Sequence, residues 1–501
     1  MIDLYTPDQV RAAEEPVLAA TPEGALMQRA ATGLATVCLR LLGRAYGARV
    51  TALVGAGNNG GDALFAAAQL AGRGARVSAV LLDPDRAHAA GLAALRRAGG
   101  QVLDGTAALQ GPAPSVRGVG GRGVLSRADL VLDGIVGIGG SGGLRPAAAA
   151  LVGRAASGPG LMVAVDVPSG VDAATGAVPG AAFPAQHTVT FGAVKVGLVV
   201  GEGRGHAGQV HLIDIGLRDH LPAPAARRLT DADAAARLRP PAPDDDKYSQ
   251  GVVGVVAGSS TYPGAGVLCT GAALRTRPGL VRYAGTAADG VRSAWVEAIV
   301  TDGRPSDAGR VQAWVAGPGM GTDDDARSVL AEVLATDLPV LVDADGLTML
   351  ADDQDLVRRR SAPTVLTPHD REFERFGTKL GDDRIAAARA LAADLGAVVL
   401  LKGDATVVAD ADGTTFVNGT GTSWLATAGT GDVLSGITGS LLATGLPAVE
   451  AAAVGAHLHG RVGQLAAERG PLLAGDLIRR LPEAVARLHG WTGVGLRDSH
   501  A

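Results

Sequence analysis

The stretch VGAGNNGGDAL, Val54 to Leu64, decides the fold of the first half of this chain. Its glycines fit the spacing G-x-G-x-x-G, and they follow an apolar run, 50–54, that is typical of a β-strand. A helix-like run, 62–70, comes next. This order of strand, glycine-rich turn and helix predicts a Rossmann-like unit. Asn58, Asn59 and Asp62 occupy the place where a pyrophosphate docks, which disfavours a plain dehydrogenase loop.

Strand-like and helix-like runs alternate through both halves of the chain. The first half contains RVTALVG, RVSAVLLD and ADLVLDGIVG, and the second contains GVVGVVAGS, VQAWVAGPG and LPVLVDADG. The alternation fails over 219–246, which is rich in Pro, Asp and Arg, although TDADAAARL within it fits a short capped helix. We therefore predict an α/β protein with a first domain over 1–218, a linker region over 219–246 and a second domain over 228–490.

Composition excludes several classes of function. The 501-residue chain carries a net charge of -5 and only 3% aromatic residues, which disfavours binding to nucleic acid. No uncharged apolar run of about 18 residues suggests a membrane span, and the acidic start does not resemble a signal segment. Cys38 and Cys269 are expected to be buried, small apolar residues. We expect a cytoplasmic homo-oligomer that acts on small molecules.

Polar residues follow three strands of the first half. They are Asn58, Asn59 and Asp62 after the first, Asp133 and the loop 137–143 at the second, and Asp166 and Ser169 after the third. Ligands of open α/β sheets gather at such strand ends. The oxygens of Asn59, Asp133 and Ser169 are of the hard type that suits a group I or II cation. Taken singly, each residue also fits an ordinary turn or helix cap.

Four motifs together resemble the NAD(P)H-hydrate epimerase family over about residues 5–216. They are GAGNNGGDA, VLDGIVGIGGSGG, VDVPSGVDAATG and TFGAVKVGL. The resemblance implies a Rossmann-like fold, a nicotinamide nucleotide hydrated at ring carbon 6 as substrate, and Asp166 as the acid/base that interconverts its R and S forms. It also implies K⁺ near Asn59, Asp133 and Ser169. The implied substrate contacts are Asn58, Asn59, Gly60, Gly61, Asp62, Gly137, Ile138, Gly139, Gly140, Ser141, Gly142, Gly143 and Asp166.

The stretch NGTGTSWLATAGTGDVLSGITG, Asn418 to Gly439, carries the chemistry of the second half. Its small residues bring backbone amides to the start of a helix predicted near Asp432, which favours a transferring phosphoryl group. Asp432 is placed to take a proton from an attacking hydroxyl, and its alternative role is an ordinary helix cap. Lys402 and Thr406 in LLKGDAT are predicted to contact a nucleotide. The stretch LTPHDREF places His369 and Glu372 in an H-x-x-E arrangement that suits a magnesium-bound phosphate.

These motifs resemble the ribokinase-like superfamily, and more closely its ADP-dependent NAD(P)H-hydrate dehydratase branch, over about residues 228–486. Further matches are DDKYSQGVVGVVAGSSTYPGAG, VLVDADGL and ATAGTGDVLSG. The resemblance implies phosphorylation of the ring hydroxyl of the S-hydrate, with Mg²⁺ and ADP, followed by loss of phosphate to regenerate NAD(P)H. The implied substrate contacts are Ala265, Gly321, His369 and Asp432; the implied nucleotide contacts are Lys402, Gly403, Asp404, Ala405, Thr406 and Gly431.

Three hypotheses follow for the whole chain. The first is a bifunctional repair enzyme that epimerises NADHX and NADPHX, the hydrated cofactors, and dehydrates the S form. The second is a kinase of a small hydroxymethyl compound with an N-terminal regulatory domain, which would release a stable phosphorylated product. The third makes the first half a binding or scaffolding module. The presence of Asp133, Asp166 and Ser169 together favours an intact first site.

Overall fold

A computed structural model describes residues 1–110, 123–140, 142–277 and 279–491. The chain divides into two compact units: Asp3–Ala225, the N-terminal unit, and the chain from Ala226 onward together with Met1–Ile2, the C-terminal unit. The predicted linker region, 219–246, contains this division. Within it TDADAAARL forms the expected helix, Asp231–Arg237, in which the Thr230 hydroxyl accepts a hydrogen bond from the main-chain nitrogen of Asp233.

A parallel sheet organises the N-terminal unit, in the order β4-β3-β2-β5-β6-β7-β9. The direction in which strands are added reverses between β2 and β5, as in the Rossmann fold, and the α/β prediction is confirmed. A separate parallel pair joins β1 and β8. The strands are β1 (Ile2–Tyr5), β2 (Arg49–Val54), β3 (Arg76–Leu81), β4 (Gln101–Asp104), β5 (Leu130–Gly134), β6 (Leu161–Val165), β7 (His187–Phe191), β8 (Val194–Lys195) and β9 (Gln209–Ile213).

Helices cover both faces of this sheet. Val54 and Leu132 belong to one apolar cluster, whereas their neighbours Leu53 and Val131 belong to another. Because side chains alternate along a strand, both faces are packed, and the central strands are mostly apolar. The helices are α1 (Pro7–Ala20), α2 (Ala25–Leu42), α3 (Asn58–Gly72), α4 (Ala89–Arg97), α5 (Gly105–Gln110), α6 (Pro146–Ala156) and α7 (Gly203–Ala207).

Helix α3 begins at Asn58, earlier than the expected start at residue 62. Only Gly57 in the turn before it needs a positive φ, of +99°, so the following glycines are free to join the helix. Gly60 is required for a different reason, since a Cβ there would overlap the carbonyl oxygen of Gly55. The helix therefore starts directly at the end of β2, with no side chain capping its first amides.

The C-terminal unit contains a mixed sheet in the order β13-β12-β11-β14-β15-β16-β17-β18-β19-β10. The strands from β13 to β17 are parallel, and β18 pairs antiparallel with β17 and β19. The strands are β10 (Ala226–Arg228), β11 (Val252–Val256), β12 (Leu280–Ala284), β13 (Ile299–Thr301), β14 (Ala313–Ala316), β15 (Val340–Val342), β16 (Thr364–Leu366), β17 (Val398–Leu401), β18 (Val407–Ala409) and β19 (Thr415–Val417).

Its helices are α8 (Asp231–Arg237), α9 (Pro263–Thr276), α10 (Ala288–Ala294), α11 (Asp324–Leu334), α12 (Asp345–Asp352), α13 (Asp355–Arg358), α14 (Asp370–Glu374), α15 (Arg384–Leu395), α16 (Thr430–Ala443), α17 (Ala448–Ala467) and α18 (Ala474–Leu488). Helix α16 is nearly all buried. A Cβ at Gly436 would overlap the carbonyl oxygen of Cys269 in α9, and one at Gly439 would overlap Val315 in β14. This close packing fixes the start of α16. Among the described helices, none is long and apolar enough to cross a membrane.

Candidate active sites

The N-terminal unit has a cavity of about 990 Å³ where β2, β5 and β6 end. This edge is where the strand order reverses and where an open α/β sheet binds its ligands. The cavity brings together predicted residues from all three strand ends, namely Asn58, Asn59, Asp62, Gly137, Ile138, Gly139 and Asp166. The structure therefore places the three polar strand ends in one site.

Asp166 is held in an unusual backbone conformation, with φ at +67°, directly after β6. Strain of this kind is typical of functional sites. The Oδ1 atom of Asp166 accepts hydrogen bonds from Lys195 Nζ at 2.6 Å and from the main-chain nitrogen of Phe191 at 3.1 Å. Lys195 is 1% exposed, and its Nζ also donates to the carbonyl of Phe191 at 2.7 Å. The carboxylate of Asp166 is thus fixed on one oxygen by a buried cation.

Two further carboxyl groups line the same cavity. Asp62 is the fifth residue of α3, and its Oδ1 is buried without a hydrogen-bond partner in the described chain. Burial raises the pKa of Asp62 well above its usual range, and the charges of Asp166 and Glu14 add to this effect. Burial also raises the pKa of Glu14 on α1. The cavity therefore raises the proton affinity of both carboxyl groups.

Asp133 is fully buried at the end of β5 and contacts Ser169. Its carboxylate accepts hydrogen bonds from the Ser169 hydroxyl at 2.7 Å and from the Ser169 main-chain nitrogen at 2.8 Å. Burial raises the pKa of Asp133 to about 6 despite these bonds. No cationic side chain of the described chain pairs with this carboxylate, and the Asn59 amide nitrogen is buried without a partner. A buried carboxylate without a cationic partner fits a cation site.

The glycine-rich loop after β5 is only partly in contact with the cavity. Gly137 lies against the Asn59 side chain, 3.0 Å from its Oδ1 to the position of a Cβ, and Arg11 Nη2 donates to the carbonyl of Ile138 at 2.9 Å. Gly143 packs on Gly180 instead. The predicted contacts Gly60, Gly61, Gly140, Gly142 and Gly143 do not line the cavity, and Ser141 lies outside the described residues.

The C-terminal unit has its own cavity of about 840 Å³ beside the start of α16. Its lining includes the predicted nucleotide contacts Lys402, Gly403, Asp404, Thr406 and Gly431 together with His369, whereas Ala405 is buried beside it. Gly429, which precedes α16, has φ at +86° and provides no capping side chain. The first amides of α16 are thus free of a side-chain cap, as an anion site requires.

Lys402 is the centre of a charge network at this cavity. Its Nζ lies 2.8 Å from Asp343 Oδ1 and 3.6 Å from Glu372 Oε2. Burial alone lowers the pKa of Lys402, but the charges of Asp343 and Glu372 outweigh burial and raise it. The other oxygen of Asp343 accepts a hydrogen bond from Ser435 on α16 at 2.7 Å. Lys402 therefore stays charged next to the helix start.

Asp432 occupies the third position of α16 and makes no hydrogen bond to the described chain, so the helix-cap alternative is wrong. Burial raises the pKa of Asp432 to about 7, and the charge of Asp343 contributes in the same direction. The charge of Lys402 opposes them. An aspartate that titrates near neutral pH, and that has no structural hydrogen bond, is suited to accepting a proton.

Three of the predicted substrate contacts, Ala265, Gly321 and Asp432, lie outside the lining of this cavity. The Cβ of Ala265 lies 2.8 Å from the position of a Cβ on Gly319, and the main-chain nitrogen of Gly321 donates to Asp345 at 2.9 Å. Asp345 in turn raises the pKa of Asp432 through its charge. The loop after β14 thus packs against Ala265 and, through Gly321, binds Asp345, whose charge acts on Asp432.

The H-x-x-E pair forms a reciprocal cap at the start of α14. The main-chain nitrogen of His369 donates to Glu372 Oε2 at 2.9 Å, and that of Glu372 donates to His369 Nδ1 at 3.2 Å. The His369 ring is half exposed and lines the cavity, whereas Glu372 is buried against Lys402. The pair therefore has a structural role in addition to its position beside the site.

Several site residues were not predicted from the sequence. Lys195 stands within the TFGAVKVGL motif, and a lysine inside an apolar strand is the signal that identifies it. Asp343, in VLVDADGL, is likewise a charged residue next to an apolar strand, because it directly follows β15. His459, on α17, also lines the C-terminal cavity; burial lowers its pKa to about 4, and its Nε2 has no partner in the described chain.

Two family models match the chain. The model described as YjeF-related protein N-terminus matches residues 23–197, and the model described as NAD(P)H-hydrate dehydratase matches residues 253–483. The first match contains β2 to β8, and the second contains both Lys402 and Asp432. The family matches therefore fall on the two units that hold the two cavities.

Named relatives cover the chain in different ways. The bifunctional NAD(P)H-hydrate repair enzyme of Mycobacterium tuberculosis is 52% identical over 454 residues, 90% of this chain and 91% of the relative. The NAD(P)H-hydrate epimerase of Microbacterium testaceum is 46% identical over 222 residues, 43% of this chain and 80% of the relative. A Bacillus subtilis ADP/ATP-dependent NAD(P)H-hydrate dehydratase, co-crystallised with ATP/Mg²⁺, is 28% identical with a TM-score of 0.47, over 52% of this chain and 99% of that one.

Proposed function

The chain belongs to the bifunctional NAD(P)H-hydrate repair enzymes, and we propose that the cavity of each unit carries one of its two reactions. The enzyme interconverts the R and S forms of hydrated NADH and NADPH and dehydrates the S form to NAD(P)H. The observation that supports the division is that each unit has an aspartate suited to proton transfer at or beside its cavity. Asp166 lines the N-terminal cavity and is held by Lys195. Asp432 follows Gly431, which lines the C-terminal cavity, and has a pKa of about 7.

In the N-terminal cavity, Asp166 acts on the hydroxyl at ring carbon 6. Its carboxylate removes the hydroxyl proton, the bond from carbon 6 to the ring nitrogen breaks, and the ring opens to an aldehyde. Reclosure on either face of the aldehyde gives either epimer. Lys195 holds the Asp166 carboxylate in position before the step, through the ion pair at 2.6 Å. The Asn58–Asp62 segment and the loop 137–143 hold the nucleotide.

The proposed K⁺ site is formed by Asn59, Asp133 and Ser169. The buried Asp133 carboxylate, which has no cationic partner in the described chain, supports it. A cation there supplies positive charge that offsets the carboxylate and a phosphate group of the substrate. It also ties β5 to the loop after β6, since Ser169 contacts Asp133 across that edge.

At the C-terminal site, beside this cavity, Asp432 takes the proton of the same hydroxyl on the S-hydrate. The hydroxyl oxygen then attacks the terminal phosphoryl group of ADP, and AMP leaves. Loss of phosphate from carbon 6, with a proton from carbon 5, forms the double bond of NAD(P)H. Lys402 and the first amides of α16 stabilise the charge of the transferring group. Ala265, Gly321 and His369 contact the hydrated ring side, and residues 402–406 with Gly431 contact ADP.

Mg²⁺ enters this site with the nucleotide. The described chain contains no group of three or more His, Cys, Asp or Glu residues that would cage a metal ion. This fits an ion held mainly by phosphate oxygens and water, with Glu372 close by. Bound in this way, Mg²⁺ neutralises phosphate charge during the transfer.

The remaining parts of the proposal concern the whole protein. We assign epimerisation to residues 1–218 and dehydration to residues 228–490, with 219–246 as the linker region. The enzyme is proposed to be a cytoplasmic homo-oligomer that binds neither nucleic acid nor membrane. Cell fractionation and light scattering of the purified protein test location and oligomeric state.

The deciding experiment incubates a mixture of R and S hydrates of NADH with the purified enzyme, Mg²⁺ and ADP. Complete recovery of the near-ultraviolet absorbance of NADH is expected, because epimerisation converts the R form into the S form. Recovery that stops at the S fraction would contradict the epimerase assignment. Accumulation of a stable phosphorylated product would instead favour the small-molecule kinase.

A further inference from the structure

The N-terminal cavity holds several carboxyl groups beside one buried ammonium group. Asp62, Asp166 and Glu14 all line it, and Lys195 is buried behind Asp166. Carboxyl groups held close together in a buried site cannot all be ionised, so at least one retains its proton. The question is which of them does so.

The contacts of Lys195 answer this question. Its Nζ lies 2.6 Å from Asp166, and the main-chain nitrogen of Phe191 donates to the same oxygen, so Asp166 is stabilised as the anion. Asp62 receives no such contact, and its buried Oδ1 has no partner in the described chain. An ion without donors is costly to bury, so Asp62 favours its neutral form. Burial and the charge of Asp166 raise its pKa accordingly.

Asp62 also has no structural task that explains its burial. It lies just after the first turn of α3 and does not cap that helix, and the structure gives it no hydrogen bond to any described element. A buried acid without structural contacts, lining the cavity beside the proposed base, is available to a bound ligand.

We propose that Asp62 is the general acid of the epimerisation, acting together with Asp166 as the general base. The inference rests on the function proposed above for this cavity. Two carboxyl groups whose environments separate their proton affinities are the usual arrangement for paired acid and base catalysis.

The proton balance closes on these two residues. Asp166 takes the proton of the carbon 6 hydroxyl, the oxygen electron pair forms the carbonyl, and the bond between carbon 6 and the ring nitrogen breaks. The nitrogen takes the proton of Asp62, which becomes a carboxylate while Asp166 becomes neutral. On reclosure the nitrogen attacks the other face of the aldehyde, its proton returns to Asp62, and Asp166 returns a proton to the oxygen.

The test compares Asp62→Asn with Asp85→Asn, a control that removes an exposed carboxyl group from the neighbouring segment 84–86. Interconversion of the purified hydrates is followed by chiral chromatography with the full chain, without ADP, and is corrected for the rate without protein. General acids typically contribute about 10²- to 10⁴-fold, so Asp62→Asn should lower kcat by at least about 100-fold with KM unchanged. Asp85→Asn should match the wild type.

The pH profile gives a second readout. The wild-type rate should fall at high pH as Asp62 loses its proton, and this alkaline limb should be absent in Asp62→Asn. The other titratable groups facing the cavity are retained in the variant, so they do not produce this difference: Arg11, Glu14, Glu23, His88 and Asp166, with Lys195 behind Asp166.

A second variant, Asp62→Ala, tests the same role in case the Asp62→Asn protein does not fold. The rate of Asp62→Ala should be partly restored by added formic acid, which a purely structural role of Asp62 would not produce. Wild-type kcat in Asp62→Asn, or a change confined to KM, overturns the acid assignment. Full interconversion by Asp166→Asn would instead overturn the proposed function of the cavity, so the two failures are distinguishable.

Discussion

At the scale of single residues, the protein sets the charge of its aspartates by different means. Asp166 is neutralised by direct contact with Lys195, at 2.6 Å. Asp432 has no hydrogen bond to the described chain, and burial together with the charge of Asp343 brings its pKa to about 7. The first residue is therefore held in place by an ion pair, whereas the second is poised to change its charge near neutrality.

Asp166→Asn should abolish R-to-S interconversion and leave dehydration of pure S-hydrate nearly unchanged. The amide cannot accept the hydroxyl proton, whereas Asp432 lies in the other unit with its own cavity. A loss of about 10²- to 10⁴-fold is expected. Chiral chromatography of the hydrates measures it, and wild-type interconversion by the variant would contradict the role of Asp166.

Asp432→Asn should stop dehydration, by at least about 10²- to 10⁴-fold, and leave ADP binding close to normal. The groups proposed to grip the nucleotide, Lys402 to Thr406 and the amide of Gly431, remain in place. Recovery of NADH absorbance and calorimetry with ADP are the two measurements. Near-wild-type recovery in the variant would end the proposal that Asp432 is the base.

The same residue predicts a pH dependence. Because the pKa of Asp432 is raised to about 7, the base is protonated below that pH and ionised above it. For S-hydrate dehydration, kcat/KM should therefore rise with pH through about 7, and one unit below it should be about tenfold under the plateau. A profile that is flat across this range would contradict the assignment.

At the scale of secondary structure elements, both cavities lie at the starts of helices that have no side-chain cap. Gly57 precedes α3 and Gly429 precedes α16, each with a positive φ. Helix starts of this kind leave amides available for anionic groups. In the N-terminal unit the strand ends add a second device, since Asp133 on β5 and Ser169 after β6 form one buried polar pair.

Gly431→Ala tests the start of α16. A Cβ there would lie 3.7 Å from Asp343 Oδ2 and 3.8 Å from Lys402 Nζ, so the helix accepts it, but the methyl group fills space meant for phosphate. We expect weaker ADP binding, of about tenfold or more, together with unchanged or slightly higher stability, since alanine favours a helix by about 1 kcal/mol over glycine. Calorimetry and thermal unfolding measure both.

Gly475→Ala is the matched control. Gly475 is the second residue of α18, as Gly431 is of α16, and a Cβ there would meet only Arg479 at an ordinary 3.6 Å. The control should keep wild-type ADP affinity. Equal loss of affinity in both variants would show that the effect belongs to helix packing and not to the phosphate site.

The proposed K⁺ site at Asn59, Asp133 and Ser169 predicts that epimerisation depends on K⁺ and that dehydration does not. Replacing K⁺ by a bulky organic cation should weaken substrate binding for epimerisation by about tenfold, and lowering the pH below about 6 should do the same as Asp133 becomes protonated. Asp133→Asn should remove the response to K⁺. Epimerisation kinetics in the two salts provide the measurement, and equal KM values would contradict the site.

At the scale of the whole molecule, the sites proposed for the two reactions lie in separate compact units, each with its own cavity. The product of one, the S-hydrate, is the substrate of the other. Because both units belong to one chain, the two proposed sites are present in equal numbers. This does not require direct transfer of the intermediate between them.

Mixing Asp166→Asn with Asp432→Asn tests this independence. Neither variant alone should convert a mixture of the R and S hydrates completely. An equal mixture of the two variants should recover all of the NADH absorbance, because the hydrate diffuses between the intact sites. The mixture is compared with wild type at the same number of each intact site. Failure of the mixture, with each variant active in its remaining reaction, would show that the intermediate must pass within one chain.

The sequence by itself determined the architecture of both halves and most of the polar site residues. Glycine-rich turns after apolar runs are local patterns, and they predicted the start of the N-terminal sheet and the placement of Asn58, Asp62 and Asp166 at strand ends. Local patterns suffice here because strand and helix periodicities and turn chemistry depend on near neighbours in sequence.

Only the tertiary structure decided which charges meet. Lys195 reaches Asp166 because β8 follows β7 at the edge of the site, and Lys402 reaches Asp343 across 59 residues of sequence. The structure also showed that Asp432 is not a cap and that Asp62 is buried without a partner. These properties depend on strand order and on burial, which bring distant residues into a low-dielectric site, and no local sequence pattern encodes that neighbourhood.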